Sequence, residues 1–230
     1  MFGLSPSELD ALALTVRISV LATLVSLPPG VLAGYALARW SFPGKGLLNV
    51  LVHLPLVLPP VVTGLLLLLL LGSRGPVGGF LEDLGLVLAF RWTGAALAAA
   101  VMGFPLMVRA IRLAVESVDP RLEQAGATLG ASGPWVFATI TFPLILPGVL
   151  TGAVLAFARA MGEFGATITF AASIPGETTT LATAIYAFLQ APGGEAAALR
   201  LVVISVIVAM LALALSETLS RRVARRISGQ

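Results

Sequence analysis

Five long apolar runs divide the chain, at about residues 12–38, 47–71, 92–108, 144–169 and 199–219. Each reaches the ~17–25 residues that a helix needs to cross the hydrocarbon core of a bilayer. The first is longer than one crossing requires, so tilt or a kink at Pro28-Pro29 is expected. The second carries Pro55, Pro59 and Pro60 and is expected to be bent or broken, which a membrane accepts where neighbouring groups re-satisfy the freed carbonyls. The third is rich in small residues (Gly94, Ala95, Ala96, Ala98, Ala99, Ala100, Gly103), a composition that lets helix backbones approach closely inside a bundle. The pattern predicts an all-α polytopic membrane protein of one transmembrane domain over residues 1–230, with about five spans and short cytoplasmic helices. Residues 73–91 read as a loop, and 181–189 as an interfacial or re-entrant helix.

The interruption at 109–143 is too polar for lipid yet carries strong helix signals. Asp119 can cap a helix that Pro120 opens and Gly130 closes. Ser132 can cap a second helix through about Thr141, closed by Phe142-Pro143. In the first of these, Leu122, Ala125 and Leu129 share one stripe, with Arg121, Glu123, Gln124 and Thr128 around the remainder. So short a helix is unstable alone and must dock on something. It either packs back on its own bundle or presents a knob to a separate cytoplasmic protein.

Charge orients the spans. One side collects Arg39, Lys45, Arg109, Arg112, Arg121, Arg221, Arg222, Arg225 and Arg226, and the other has Arg74 and Arg91. This asymmetry predicts a cytoplasmic 109–143 segment, a cytoplasmic C-terminus and an outside N-terminus. A full crossing by 181–189 would reverse the C-terminus and break the rule. The first run follows Glu8 and Asp10 and lacks a basic leader, so it reads as a retained span.

Composition then removes chemistry. The chain is 58% hydrophobic and 11% charged, against roughly 25% charged in soluble domains. It has no cysteine and one histidine, His53, which excludes disulfides, thiolate metal sites, histidine-cluster metal sites and the usual Ser-His-Asp triad. His53 itself reads as a packing or interfacial residue. The net charge of +3 marks membrane topology and not a nucleic-acid partner. Gly44-Lys45-Gly46 lacks the glycine spacing and the following Ser or Thr of a nucleotide-binding loop, so any ATP hydrolysis belongs to a partner and the chain is not an enzyme.

The fourth run contains Arg159 and Glu163, four residues apart and able to pair on one helix face. They form a packing ion pair, or else Arg159 biases a pathway toward a dianion while Glu163 holds it partly neutralised. Gly162 and Gly165 serve close packing or a gate hinge, and Thr167 and Thr169 line a pore or bond their own helix.

Gln124-Ala125-Gly126, Gly130 and Ile140-Thr141-Phe142-Pro143 resemble the EAA loop of permease subunits of prokaryotic ABC importers. That pattern is Glu-Ala-Ala, three residues, Gly, nine residues, Ile-x-Leu-Pro. Gln124 stands at its Glu position, with Glu123 one place earlier, and Phe142 stands at its Leu position. The resemblance implies a coupling helix seated in a groove of a separate ATP-binding subunit, with Leu122, Glu123, Gln124, Ala125, Gly126, Leu129, Gly130, Ile140 and Pro143 as the coupling residues. One residue turns a side chain by about 100°, so the contacts of Glu123 and Gln124 are not interchangeable. The segments 53–61, 104–112, 159–170, 174–178 and 191–195 resemble molybdate importer permeases, with sulfate permeases sharing Gly162-Glu163-Phe164-Gly165.

This narrower likeness implies a bacterial inner-membrane permease for molybdate, with tungstate inseparable from it and sulfate as the alternative. It implies an extracytoplasmic molybdate-binding protein docking near Glu177, Thr178 and Glu195, and ATP and Mg2+ held by the ATP-binding subunits. Five spans and one coupling element suit two copies around a twofold axis on two ATP-binding subunits. A secondary transporter or channel is the reading from another class, but the internal repeats such proteins often show are not visible in the chain.

Overall fold

The computed structural model describes residues 4–228, which contain helices and no strand. Helix α1 (Pro6–Arg39) opens at a capping box in which the Ser5 hydroxyl accepts from the Glu8 N–H and the Glu8 carboxylate accepts from the Ser5 N–H. It packs parallel to α5 (Trp92–Ser117) along its length. Ile18 and Ala22 meet Ala95, Ala96 and Ala99 near one end. Further along, Met107 closes on Gly30 and Ile111 on Gly34, and Arg39 at the far end donates from Nη2 to the Val118 carbonyl at 2.6 Å.

Two parallel neighbours require the chain to cross back between them. That return consists of α2 (Lys45–Val57) and α3 (Pro60–Leu71), whose axes turn by 118° at their junction. Pro59 and Pro60 supply no N–H to bridge the junction, so the expected span at 47–71 is two helices bent sharply at a break. α2 starts beside the C-terminal part of α5, where Arg112 donates to the Asn49 side chain at 3.2 Å. Beyond α3, the presumed loop at 73–91 contains α4 (Pro76–Asp83), opened by a proline in its first turn.

The expected break after residue 108 is displaced. α5 continues to Ser117 because Ile111 and Val115 extend its buried stripe past the apolar run, while Arg112 and Glu116 pair across one exposed turn at 2.7 Å. The polar interruption is thus only α6 (Pro120–Thr128) and α7 (Gly133–Val136) with their flanks. The expected stop at Phe142-Pro143 also differs. α7 runs through a π turn (Phe137–Thr141) into α8 (Phe142–Met161) without a break. The wide turn bonds the Phe142 N–H to the Phe137 carbonyl, five residues back, and absorbs the donor that Pro143 lacks.

α8 runs antiparallel to α5 in glycine contact: a Cβ on Gly148 would lie 2.2 Å from the Ala114 Cβ, and one on Gly152 3.0 Å from the Met107 carbonyl oxygen. After α9 (Gly165–Phe170) the chain forms α10 (Leu181–Gln190) and α11 (Glu195–Ser228). Leu181, Ala184 and Leu201 cluster with Ala11, the Leu181 N–H donates to Thr15 Oγ1 at 2.7 Å, and Arg200 pairs with buried Glu8 at 2.9 Å. α10 is therefore held at the Glu8 end of the bundle, and α11 sets out from that end along α8. The side chains of Arg221, Arg222, Arg225 and Arg226, used in the charge count, lie outside the described residues.

Four described helices are long and apolar enough to cross a membrane, and the bent α2–α3 pair makes up to five crossings. Exposed Val57, Leu69 and Met210 clothe the exterior in hydrocarbon.

Close backbone approach gives a direct test. Gly148→Val should lower the thermal stability of the detergent-purified protein by about 1–3 kcal/mol. Gly133→Ala, whose Cβ would meet nothing within 4 Å, should leave it unchanged in the same melting assay.

Candidate functional site

α6 is built to stand off the bundle in one orientation. Asp119 caps it by accepting from the Arg121 N–H at 2.9 Å, Pro120 occupies the first turn, and Gly130 takes the left-handed backbone (φ +87°) that ends it. Ser132 occupies the cap position of α7 without donating or accepting a capping bond from its side chain. Gly126 is buried, and a Cβ there would come within 2.8 Å of Ile140 Cδ1 and 3.1 Å of Val136 Cγ2. Small size at this position lets α6 lie on the turn that leads into α8.

The two candidate head residues separate cleanly. Glu123 turns inward: Oε2 lies 3.2 Å from Arg39 Nε, and Oε1 accepts from the Thr141 hydroxyl at 2.7 Å. Gln124 and Ala125 are exposed. Leu122 is 47% and Leu129 88% exposed, so the apolar stripe of α6 faces away from its own bundle. Trp135, 64% exposed, adds an apolar side chain from α7. α6 thus combines an exposed apolar face with a polar back held to Thr141 and Arg39. Pro143 is half-buried inside continuous helix beyond the π turn and is not part of this face.

The second group surrounds the break between α8 and α9. Arg159 Nη1 and Glu163 Oε2 are 2.6 Å apart, with side-chain exposures of 27% and 1%. Glu163 lies just beyond α8, where its other oxygen accepts from the Ala166 N–H at 2.7 Å. It thus joins the last turn of α8 to the first turn of α9, and a carboxylate this deep is tolerable because both oxygens face positive partners. Gly162 ends α8 with room for a side chain, its would-be Cβ 3.9 Å from the Ala158 carbonyl oxygen, whereas Gly165 sits against α3, its would-be Cβ 2.7 Å from Pro60 Cβ. Thr167 is buried, and Thr169 donates to the Gly165 carbonyl of its own helix. The α2–α3 junction and the α8–α9 break therefore meet.

The residues proposed to receive a docking partner divide. Glu177 is partly exposed, 3.9 Å from Arg91, and Glu195 is exposed at the start of α11. Thr178 is fully buried and holds its loop by accepting from the Ile174 N–H at 2.8 Å, so it presents nothing to a partner. His53 Nδ1 lies 2.8 Å from the Asn49 carbonyl, a bond within its own helix. Among the described residues no cluster of His, Asp or Glu could hold a metal ion.

Arg39 and Ala166 were not legible as site residues. Arg39 registers in the sequence only as a charge near a span end, and its partner lies 84 positions away. The Ala166 contribution is a backbone N–H, which no side-chain pattern records.

The family model for the binding-protein-dependent transport system inner membrane component matches residues 30–228. The chain belongs to that family. "Molybdenum transport system permease protein ModB" of Escherichia coli (strain K12) is 58% identical to this chain over 220 residues, covering 95% of this chain and 96% of the relative. The protein of that name from Haemophilus influenzae is 50% identical over 221 residues, 96% of each chain. "Sulfate transport system permease protein CysW" of Escherichia coli K12 is 40% identical over 176 residues, 76% of this chain and 60% of that protein. Among solved structures, a bacterial ABC transporter involved in the import of alginate superposes with a TM-score of 0.73 over 95% of this chain and 80% of that one. At 19% identity this likeness establishes the shared fold of the inner membrane component.

The seat of α6 can be tested separately from transport. Gly126→Val should force α6 off Ile140 and Val136 and raise protease cleavage of the 118–133 segment about tenfold, the size of a 1–2 kcal/mol local opening. Gly130→Ala, strained by its positive φ but facing open space, should raise it less.

Proposed function

We propose that this chain is the membrane-spanning subunit of an ATP-driven importer of molybdate, with tungstate carried by the same path. The identity to the molybdenum permeases, higher and more complete than to the sulfate permease, supports the cargo. The observation that carries the coupling role is the exposed Leu122–Leu129 face on a helix whose other side is anchored by Glu123 and Gly126. ATP and Mg2+ belong to two cytoplasmic ATP-binding subunits, because this chain lacks a nucleotide-binding loop.

Arg39, Lys45, Arg112 and Arg121 all lie at the α6 end of the bundle, which the positive-inside rule assigns to the cytoplasm. The N-terminus and the loops with Glu177 and Glu195 then face an extracytoplasmic binding protein. Two copies around a twofold axis enclose the pathway, each with one coupling helix on one ATP-binding subunit. ATP-driven closure of those subunits shifts both coupling helices and biases the pathway between inward-facing and outward-facing states. At the helix break, Arg159 supplies the positive charge that draws an oxyanion, and Glu163 limits its hold so that the anion is passed on.

Two results would test this reading. Leu122→Asp with Leu129→Asp should leave the protein inserted but abolish co-purification of the ATP-binding subunit, and retention of that subunit would refute the coupling surface. Arg159→Ala should lower uptake at least about tenfold while Arg159→Lys keeps part of it; normal uptake by both would remove Arg159 from the pathway.

A further inference from the structure

Arg39 ends α1, yet its guanidinium serves two other elements. Nη2 donates to the Val118 carbonyl, which caps α5 immediately before the turn into α6, and Nε faces the Glu123 carboxylate on α6. Both charged side chains are 17% exposed, so their attraction is screened less than that of a surface pair. The guanidinium hydrogen-bonds the Val118 carbonyl through Nη2 and holds Glu123 as an ion pair in which the buried Nε makes no hydrogen bond. On its other side α6 rests on α7 and the π turn, where the Thr141 hydroxyl bonds Glu123 and Val136 and Ile140 pack on Gly126.

We propose that Arg39 is a positioning residue for energy coupling, which clamps α6 to α1 so that displacement of α6 is delivered to α1 while the π turn yields. The proposal deepens the coupling role above and rests on it. A π turn is a wide, irregular segment of the kind found frequently at functional sites. Beside it lies an apolar cavity of about 540 Å3 between α1 and α7, lined by Tyr35, Trp40, Pro134 and Phe137, which leaves room for α7 to shift against α1.

α1 is suited to carry the motion because it touches every level of the bundle. It lies against α5 at Gly30 and Gly34, accepts the Leu181 N–H of α10 at Thr15, and holds Arg200 of α11 through Glu8. A movement imposed at Arg39 therefore reaches the helices that form the opposite end. The clamp also accounts for the acid standing one place before its position in the EAA pattern. At 123 it turns inward to Arg39, and position 124, exposed to the partner, is left neutral.

The test uses the assembled complex of this chain, its ATP-binding subunits and its binding protein in liposomes, and reads subunit retention, ATP hydrolysis and molybdate uptake per ATP. Arg39→Gln and Glu123→Gln should each retain the ATP-binding subunit and hydrolyse ATP within about twofold of wild type, while uptake per ATP falls about tenfold, within the usual range of coupling between sites. The double variant should lose no more than either single, because both break one contact. Arg39→Lys, which keeps the charge but loses the planar fork, should fall between. Wild-type uptake per ATP in either single variant, multiplied losses in the double, or loss of the ATP-binding subunit from Arg39→Gln would each overturn the clamp. The failure of the underlying reading is distinguishable: there, Leu122→Asp with Leu129→Asp keeps the ATP-binding subunit.

Discussion

The structure depends on close backbone contact among α1, α5 and α8. Lipid tails are as apolar as leucine, so helices in a bilayer gain little from hydrophobic burial against one another and must be held by packing and polar contacts. Gly30 and Gly34 bring α1 onto α5, while Gly103, Gly148 and Gly152 bring α8 onto α5 beside it, so that the three helices pack on one another. The alanines of α5 fill the space that remains, with Ala95 and Ala98 fully buried. Once these three helices are fixed, α1 and α5 are parallel and the chain between them returns by way of the bent α2–α3 pair.

That rigid centre explains where irregular backbone is permitted. The α2–α3 junction and the α8–α9 break lie against each other, Pro60 on Gly165, and there Glu163 supplies both a charge for Arg159 and an acceptor for the Ala166 N–H. Non-helical backbone inside a membrane survives only when its polar groups find partners in protein or water. The π turn before α8 lies at the other end, where α6 rests on it through Gly126 and Thr141. One irregularity thus sits beside the proposed path of the anion and the other beside the proposed partner.

Apolar periodicity made the long helices legible, because a run such as 92–108 has no soluble alternative. Its boundaries were less legible. Arg109 and Arg112 look like the end of a span, yet α5 continues because Ile111 and Val115 stay on the buried face while the charges reach solvent from the other. Pro143 looked like a helix stop, but one π turn accommodates it. In the candidate site, Asp119, Pro120 and Gly130 are local signals and could be read directly, whereas the direction in which Glu123 points could not. It depends on Arg39, which only tertiary structure brings to α6. Thr178 was misread for the same reason, since a polar residue in a loop gives no sign that it is buried as the loop's internal bond.

The most direct measurement of the central claim is uptake of labelled molybdate by liposomes holding this chain with its ATP-binding subunit and binding protein. The account predicts uptake that requires ATP and all three components, competed strongly by tungstate and weakly by sulfate. Uptake by this chain alone without ATP, or competition by sulfate as strong as by tungstate, would contradict it.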